Sequence, residues 1–119
     1  MGAELVREPS SIDDQPSLGV EFVATSVTSP GFDDPDGAVA RGLRELNAHL
    51  KYVELTRKGY LLLDITPARV SGEWWYVDTV LAKSTVQAFA TALQVADGSS
   101  QLEPGTQSAQ RSGAPPLAP

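Results

Sequence analysis

The stretch over residues 60–80, YLLLDITPARVSGEWWYVDTV, constrains the fold more than any other part of the sequence. It is the longest run of strand-forming residues, and it holds both tryptophans. A proline-alanine corner at residues 67–68 predicts that its two halves form a β-hairpin. Alternation puts Leu61, Leu63 and Ile65 on one face of the first strand. Because both faces of the hairpin carry apolar residues, the pattern is typical of strands that are covered on two sides.

Length and charge exclude several classes of partner. A chain of 119 residues forms one domain at most. Its net charge of −6 argues against nucleic acid and against an anionic membrane surface, since both need a basic footprint on the protein. No apolar run approaches the roughly 20 residues of a spanning helix, and the start MGAELVREPS lacks the pattern of a signal peptide. We therefore expect a soluble chain with no nucleic-acid or membrane partner.

One helix is predicted before the hairpin. Asp34 suits the N-cap and Pro35 the first helical position. Four apolar residues then follow at spacings of four, three and four, which indicates a helix of three to four turns with one apolar stripe. A mostly polar connection over residues 51–58 leads from this helix into the hairpin. The stripe consists of Val39, Leu43, Leu46 and Leu50.

The remaining segments give a loop, two strands and a tail. Residues 1–19 are polar and contain two prolines, so they predict a loop with at most one helical turn. Residues 20–27, VEFVATSV, predict a buried strand. Residues 87–95 alternate and favour a strand, although their alanines leave a short helix open. The composition after residue 98 predicts a disordered tail over residues 99–119.

The predicted order of strand, helix and two or three strands favours an α+β fold or a part of a layered α/β sandwich. The chain divides accordingly into an N-terminal loop at residues 1–19, a core at 20–98 and the tail. The tryptophans and the tyrosine at residues 74–76 cannot form one flat binding platform, because consecutive strand positions point to opposite faces. We expect these aromatic side chains to pack in a core.

The polar residues give few candidates for chemistry. A calcium-loop register on the acidic cluster at residues 33–36 would put Phe32 at the first ligand and Leu43 at the last, so this interpretation fails. The chain has one histidine and no cysteine, which is too little for a transition-metal site of its own. That histidine, His49, either serves the helix end or contacts an active site supplied by other residues.

Three hydroxyl residues lie where the first strand gives way to a loop, the edge at which layered folds gather ligands. Ser26, Thr28 and Ser29 could hold phosphate oxygens there, and turn formation explains them equally well. A serine hydrolase is a poor fit, because no serine lies in a G-x-S-x-G sequence.

Two blocks of sequence resemble the C-terminal portion of the PhoD-like phosphatases, the alkaline phosphatase D family. They are VEFVATSVTSPG at residues 20–31 and NAHLKYVELTRKGYLLLDITPARVSGEWWYVDTV at residues 47–80, and the resemblance extends over about residues 4–98. It implies a four-layer metallophosphatase sandwich that hydrolyses phosphate esters at a dinuclear metal centre, with iron and calcium in some members. Members are commonly periplasmic or extracellular, whereas no signal peptide is visible here.

The resemblance transfers few site residues. Asn47 and His49 match a family Asn-Pro-His element, with Ala48 where proline is usual, and the three hydroxyl residues match a Ser-x-Thr-Ser element. The family's metal ligands lie in segments upstream of the first block, including an Asp and His pair, and these segments are not in this sequence. We therefore expect no metal ligand and no catalytic residue in this chain. The candidates for the substrate pocket are Ser26, Thr28, Ser29, Asn47 and His49.

Three hypotheses follow from these patterns. The first is that the chain is a C-terminal fragment of a PhoD-like phosphatase or phosphodiesterase, inactive alone, which meets a phosphate ester only together with the upstream part. The second is a non-catalytic β-rich module that forms a homodimer through an exposed apolar sheet face. The third is that the chain does not fold in isolation, because ordering costs roughly 1 to 2 kcal/mol per residue and a small core cannot readily offset it.

Overall fold

Two antiparallel sheets and one short helix make up the protein in the computed structural model, which describes residues 1–8, 16–109 and 113. The elements in chain order are β1 (Gly2–Leu5), β2 (Gly19–Phe22), α1 (Ala38–Leu46), β3 (Leu50–Tyr52), β4 (Gly59–Ile65), β5 (Arg69–Val77), β6 (Gln87–Ala96) and β7 (Glu103–Pro104). Sheet A has the strand order β2-β1-β3, and sheet B has the order β4-β5-β6-β7. This mostly β architecture agrees with the predicted α+β class.

The predicted hairpin is confirmed as β4 and β5. Its register places Leu61 opposite Trp74 and Tyr60 opposite Trp75, and the corner is closed by the Thr66 N–H, which donates to the Arg69 carbonyl at 2.9 Å. The third predicted strand is confirmed as β6, which pairs with β5 over its whole length, so the helical alternative is wrong.

Trp74 joins the two sheets. Its ring lies 6.0 Å from Phe22 of β2 and 5.0 Å from Tyr52 of β3, between ring centroids, and its Nε1 donates to the Val23 carbonyl at 3.0 Å. Only 1% of Trp74 is exposed. Glycine is required nearby, because a Cβ at Gly72 would lie 2.5 Å from Phe22. The core therefore forms where β5 meets sheet A.

Trp75 lies on the opposite face of sheet B, as the alternation of a strand predicts. Its ring is parallel to that of Tyr60, at 6.4 Å, and meets Phe89 edge-on at 5.7 Å. The two tryptophans thus do not share a platform. β5 is covered on both faces. β4 is the edge strand of sheet B, and its faces are less covered, since Leu63 and Ile65 are exposed.

The N-terminal prediction is wrong for residues 2–5. These residues form β1, the central strand of sheet A, where Ala3 and Glu4 are buried. Glu4 is held by an ion pair with Lys51 at 3.1 Å and accepts the Leu102 N–H at 2.8 Å. A four-residue strand with a buried carboxylate has no sequence pattern of its own, since its partners lie 47 and 98 residues away. Residues 9–15 lie outside the described part of the chain.

Sheet A also changes the limits of two predicted elements. β2 ends at Phe22 rather than residue 27, because its ladder with β1 ends at the pair of Gly2 and Phe22. The polar connection after the helix contains β3, which pairs with β1. Leu50 belongs to β3 and not to the helical stripe.

Helix α1 is shorter than predicted and begins later. A turn precedes the helix, and the Gly37 N–H closes it by donating to the Asp34 carbonyl at 3.1 Å. Gly37, with a φ of 66°, is therefore the N-cap. Asp34 still serves the helix start, because its carboxylate accepts the N–H groups of Val39 and Ala40 at 2.9 and 3.0 Å. These hydrogen bonds lower the pKa of Asp34, and the bond from Val39 has the largest effect. No residue of α1 is buried, and its apolar stripe is partly exposed.

Part of the predicted tail is in the fold. β7 pairs with β6, and the Gly105 N–H donates to the Ala92 carbonyl at 2.9 Å. Ser108 then binds the buried carboxylate of Glu73 through both its N–H and its hydroxyl. The disorder prediction is therefore wrong over residues 103–109, while residues 110–112 and 114–119 lie outside the described residues. Among the residues that the structure describes, no helix has the length and apolar character that crossing a membrane requires.

Candidate functional site

The loop after β2 runs along the segment that precedes β4. The Thr25 hydroxyl donates to the Arg57 carbonyl at 2.8 Å, and the Phe32 N–H donates to the Leu55 carbonyl at 3.0 Å. Gly31 lies so close that a Cβ there would be 2.9 Å from the carbonyl oxygen of Thr56. These contacts fix the position of the loop that holds the three hydroxyl candidates.

Ser26 and Ser29 lie together in this loop, next to a lysine. The Ser26 hydroxyl donates to the Ser29 carbonyl at 3.3 Å and accepts a hydrogen bond from Lys58 Nζ at 3.0 Å. Thr28 is exposed beside them. A hydroxyl next to an ammonium group can bind a phosphate oxygen, because both groups donate to it and the charge favours an anion. Sequence reasoning missed Lys58, since 32 residues separate it from Ser26.

Asn47 and His49 lie at the other end of α1. Asn47 Nδ2 donates to the Leu43 carbonyl at 2.8 Å, so this side chain satisfies a carbonyl at the end of the helix. The His49 carbonyl accepts the Glu4 N–H at 2.8 Å. His49 Nδ1 is buried without a hydrogen-bond partner in the described part of the chain. Asn47 therefore caps the helix, whereas the imidazole of His49 has a buried nitrogen without a hydrogen-bond partner in the described residues.

The five candidates fall into two groups, the loop with the three hydroxyl residues and the pair at the end of α1. Within residues 16–109, no hydrogen bond or ion pair joins the hydroxyl loop to Asn47 or His49. The two groups lie in the chain on either side of α1, which separates the loop from β3.

A third polar surface is a cleft of about 520 Å³ between the first turns of α1 and residues 53–57. Arg41 and Arg44 line it from the helix, and Arg57 lines it from the segment before β4. Three carboxylates also line the cleft: Asp34, Asp36 and Glu54. These arginines could not be chosen from the sequence, because nothing in their spacing shows that they meet.

Arg57 is held in place by three neighbours. Its Nε donates to Glu54 at 2.7 Å, and its guanidinium carbon lies 4.2 Å from the centre of the Tyr76 ring. The hydroxyls of Tyr76 and Tyr52 hydrogen-bond to each other at 2.9 Å, and Arg57 also interacts with Tyr52. Burial raises the pKa of both phenols, so they remain neutral.

Glu54 is the main acidic partner of Arg57. Burial raises the pKa of Glu54, but hydrogen bonds from the Thr56 N–H and from Arg57 outweigh burial and hold the pKa below its usual value. The carboxylate therefore stays charged at neutral pH and fixes the direction of the guanidinium.

The described residues do not fit the metal centre that the family resemblance implies. Over residues 1–8, 16–109 and 113, no group of three or more histidine, cysteine, aspartate or glutamate side chains is placed to hold a metal ion.

Comparison with known proteins supports the resemblance. The family model described as PhoD-like phosphatase matches residues 3–74, which is more than half of the 119 residues. The match begins in β1 and ends in β5, so it includes the hydroxyl loop, α1, Asn47 and His49. A search of curated proteins and a search of solved structures each found no match.

Proposed function

Because this chain belongs to the PhoD-like phosphatase family, we propose that it is the C-terminal segment of a metal-dependent phosphate ester hydrolase. It supplies strands of the catalytic domain and one wall of the phosphate site, and it is inactive alone. The observation that carries this proposal is the family match over β1 to β5. The two sheets would then form part of the four-layer sandwich, and iron and calcium would be held by residues outside this chain.

The uncovered apolar surfaces support the proposal. No residue of the α1 stripe is buried, and Leu46 is 67% exposed. On β4, Leu63 is 48% exposed and Ile65 is 68% exposed. Side chains of this kind are normally buried, and contiguous exposed apolar patches mark surfaces that bind other protein. In a layered sandwich, further strands and helices would cover both surfaces.

The phosphate wall in this proposal is the loop with Ser26, Thr28 and Ser29, together with Lys58. The ammonium of Lys58 would offset the charge of the ester, and the hydroxyl of Ser26 would orient one of its oxygens. Asn47 and His49 would lie at the border of the same site, where the unpartnered Nδ1 of His49 would meet a group from the rest of the domain.

Complementation in solution tests this assignment. A PhoD-like phosphatase shortened so that it ends before its own VEFVATSVTSPG-like block is mixed with the 119-residue chain, and hydrolysis of p-nitrophenyl phosphate is measured. We expect the chain to restore hydrolysis and Lys58→Met to restore about tenfold less, because a charge-assisted hydrogen bond is lost. Lys83→Met is the matched control, since Lys83 is exposed in the connection between β5 and β6. A chain that binds the shortened enzyme and restores nothing would contradict the proposal.

A second candidate function is a homodimer through β4, favoured by the exposed edge of sheet B. Antiparallel pairing of two β4 strands about Leu62 would place Leu61 opposite Leu63 of the other copy, and Tyr60 opposite Asp64. Apolar side chains would then face each other while the two aspartates stay apart. Light scattering tests this pairing, because a homodimer through β4 requires a dimer for the natural chain and a monomer for Leu63→Lys. A natural chain that stays monomeric at high concentration would exclude this function.

A further inference from the structure

Three arginines from two elements line the cleft between α1 and residues 53–57. Arg41 and Arg44 lie one turn apart on one side of α1, and Arg57 lies on the opposite wall. A volume of about 520 Å³ is within the usual range for small-ligand sites and leaves room for a phosphate group with a small substituent.

Arg57 is oriented before any ligand binds. The contact with the Tyr76 ring and the bond from its Nε to Glu54 restrict its rotation, while about half of the side chain remains exposed. An arginine that is already ordered loses little further rotamer entropy on binding a ligand.

The other two arginines have N–H groups to offer. Arg41 Nη1 donates to the Asp36 carbonyl at 2.8 Å, which holds its guanidinium over the helix start and leaves its other N–H groups available. The guanidinium of Arg44 is exposed and makes no ion pair or hydrogen bond within the described residues.

Two of the three carboxylates in the cleft already accept several hydrogen bonds. Asp34 accepts two helical N–H groups, and Glu54 accepts the N–H groups of Thr56 and Arg57 as well as Arg57 Nε. These donors offset part of the negative charge that would otherwise repel an anion. Asp36 is exposed near the start of α1.

We propose that this cleft binds a phosphate-bearing anion through the guanidinium groups of Arg41, Arg44 and Arg57. The planar fork of arginine matches two oxygens of one phosphate, and three such groups from two walls can surround it. The proposal goes beyond the function given above, because it requires neither metal ligands nor another chain.

Titration of the full 119-residue chain with inorganic phosphate tests the proposal. Amide and arginine side-chain resonances are followed by nuclear magnetic resonance, with sodium chloride at matched ionic strength as the reference. We expect saturable shifts at Arg44 and Arg57 with phosphate only. Arg44→Gln is expected to weaken phosphate binding about tenfold, since one charge-assisted bidentate contact is lost. The matched control is Arg7→Gln, which removes the same charge from an exposed residue that does not line the cleft.

Arg57→Lys separates guanidinium recognition from charge alone. It keeps the positive charge and loses the planar fork, so we expect binding several-fold weaker than in the natural chain. The proposal would be overturned by shifts that do not saturate or by shifts equal to those in sodium chloride. It would also be overturned if Arg44→Gln and Arg7→Gln weakened phosphate binding equally. A spectrum without dispersed amide signals would overturn it as well, because the cleft exists only in the folded chain. None of these outcomes depends on whether the chain takes part in ester hydrolysis.

Discussion

β4 and β5 are neighbours in one sheet and have similarly apolar sequences, GYLLLDI and RVSGEWWYV, but their surroundings differ. β5 lies between β4 and β6, and its Trp74 and Tyr76 are buried against sheet A. β4 is the edge strand, and its Leu63 and Ile65 are exposed. The difference shows that position in the sheet, rather than apolar content, decides which strand forms the core of this chain.

The two faces of β5 are also covered by different means. Sheet A covers the face of Trp74 with aromatic rings, whereas the segment after β7 covers the face of Glu73. Glu73 is fully buried, and its carboxylate accepts the Ser108 N–H at 2.8 Å, the Ser108 hydroxyl and Trp75 Nε1 at 3.0 Å. The first face is therefore held by apolar packing and the second by hydrogen bonds to one charge.

Trp74→Ala gives the largest expected effect. It removes the ring that joins the sheets, so we expect a loss of about 3 to 5 kcal/mol in the free energy of unfolding. Urea denaturation measured by circular dichroism checks this value. Leu63→Ala on β4 is the comparison, with an expected loss of about 1 kcal/mol or less, because this side chain is half exposed. Equal losses in the two variants would contradict the difference between the strands.

Glu73→Gln tests the second face of β5. The amide cannot accept the bonds from Ser108 and Trp75 as a carboxylate does, so we expect a loss of about 1 to 3 kcal/mol in the free energy of unfolding. The same urea experiment measures it, and exposed Glu103→Gln in β7 is the matched control, with almost no expected change. An unchanged stability for Glu73→Gln would mean that residues 105–109 do not depend on this carboxylate.

The hydrogen bonds of Glu73 also predict a pH dependence. Burial raises the pKa of Glu73, but the bonds from Ser108 and Trp75 outweigh burial and leave the pKa below its ordinary value of 4.5. A carboxyl whose pKa is lowered by folding stabilises the folded state above the unfolded value, and this contribution is lost as the pH falls through the folded value. We expect stability to fall below about pH 4.5 and to fall less steeply in Glu73→Gln. Urea midpoints measured from pH 6 to pH 3 give the slope of stability against pH for the natural chain and for Glu73→Gln. Identical slopes would contradict the lowered pKa of Glu73.

Ile65→Lys gives the smallest expected effect. This side chain is mostly exposed at the end of β4, so we expect the free energy of unfolding to change by about 0.5 kcal/mol or less. The measurement is again urea denaturation, at low and at high protein concentration. A loss above 2 kcal/mol that appears only at high concentration would show that a second copy covers β4.

The local elements of sheet B could be predicted from the sequence. The hairpin and β6 have long apolar runs with alternation and clear turn residues, and these signals need no information from distant residues. β1 could not be predicted in this way, because its buried Glu4 is stabilised by Lys51 and by the Leu102 N–H. The segment after β7 could not be predicted for the same reason, because its position depends on a hydrogen bond to the distant Glu73.

The candidate site was predictable only in part. The sequence blocks selected Ser26 and Ser29, which the structure places in one loop. Lys58 and Arg57 contact this loop from more than 30 residues away, and a single sequence shows no such pairing. The roles of Ser26, Thr28, Ser29, Asn47 and His49 in a substrate pocket all stay predictions.

Turnover of the isolated chain tests the central claim most directly, the claim that the chain contributes a wall of a phosphatase site but no catalysis of its own. Purified chain is assayed with p-nitrophenyl phosphate and with bis(p-nitrophenyl) phosphate in the presence of iron and calcium, and the metal content of the same sample is determined. We expect no turnover and no stoichiometric metal. Metal-dependent hydrolysis of either ester by the folded chain would contradict the claim and would require a metal site built from the residues of this chain.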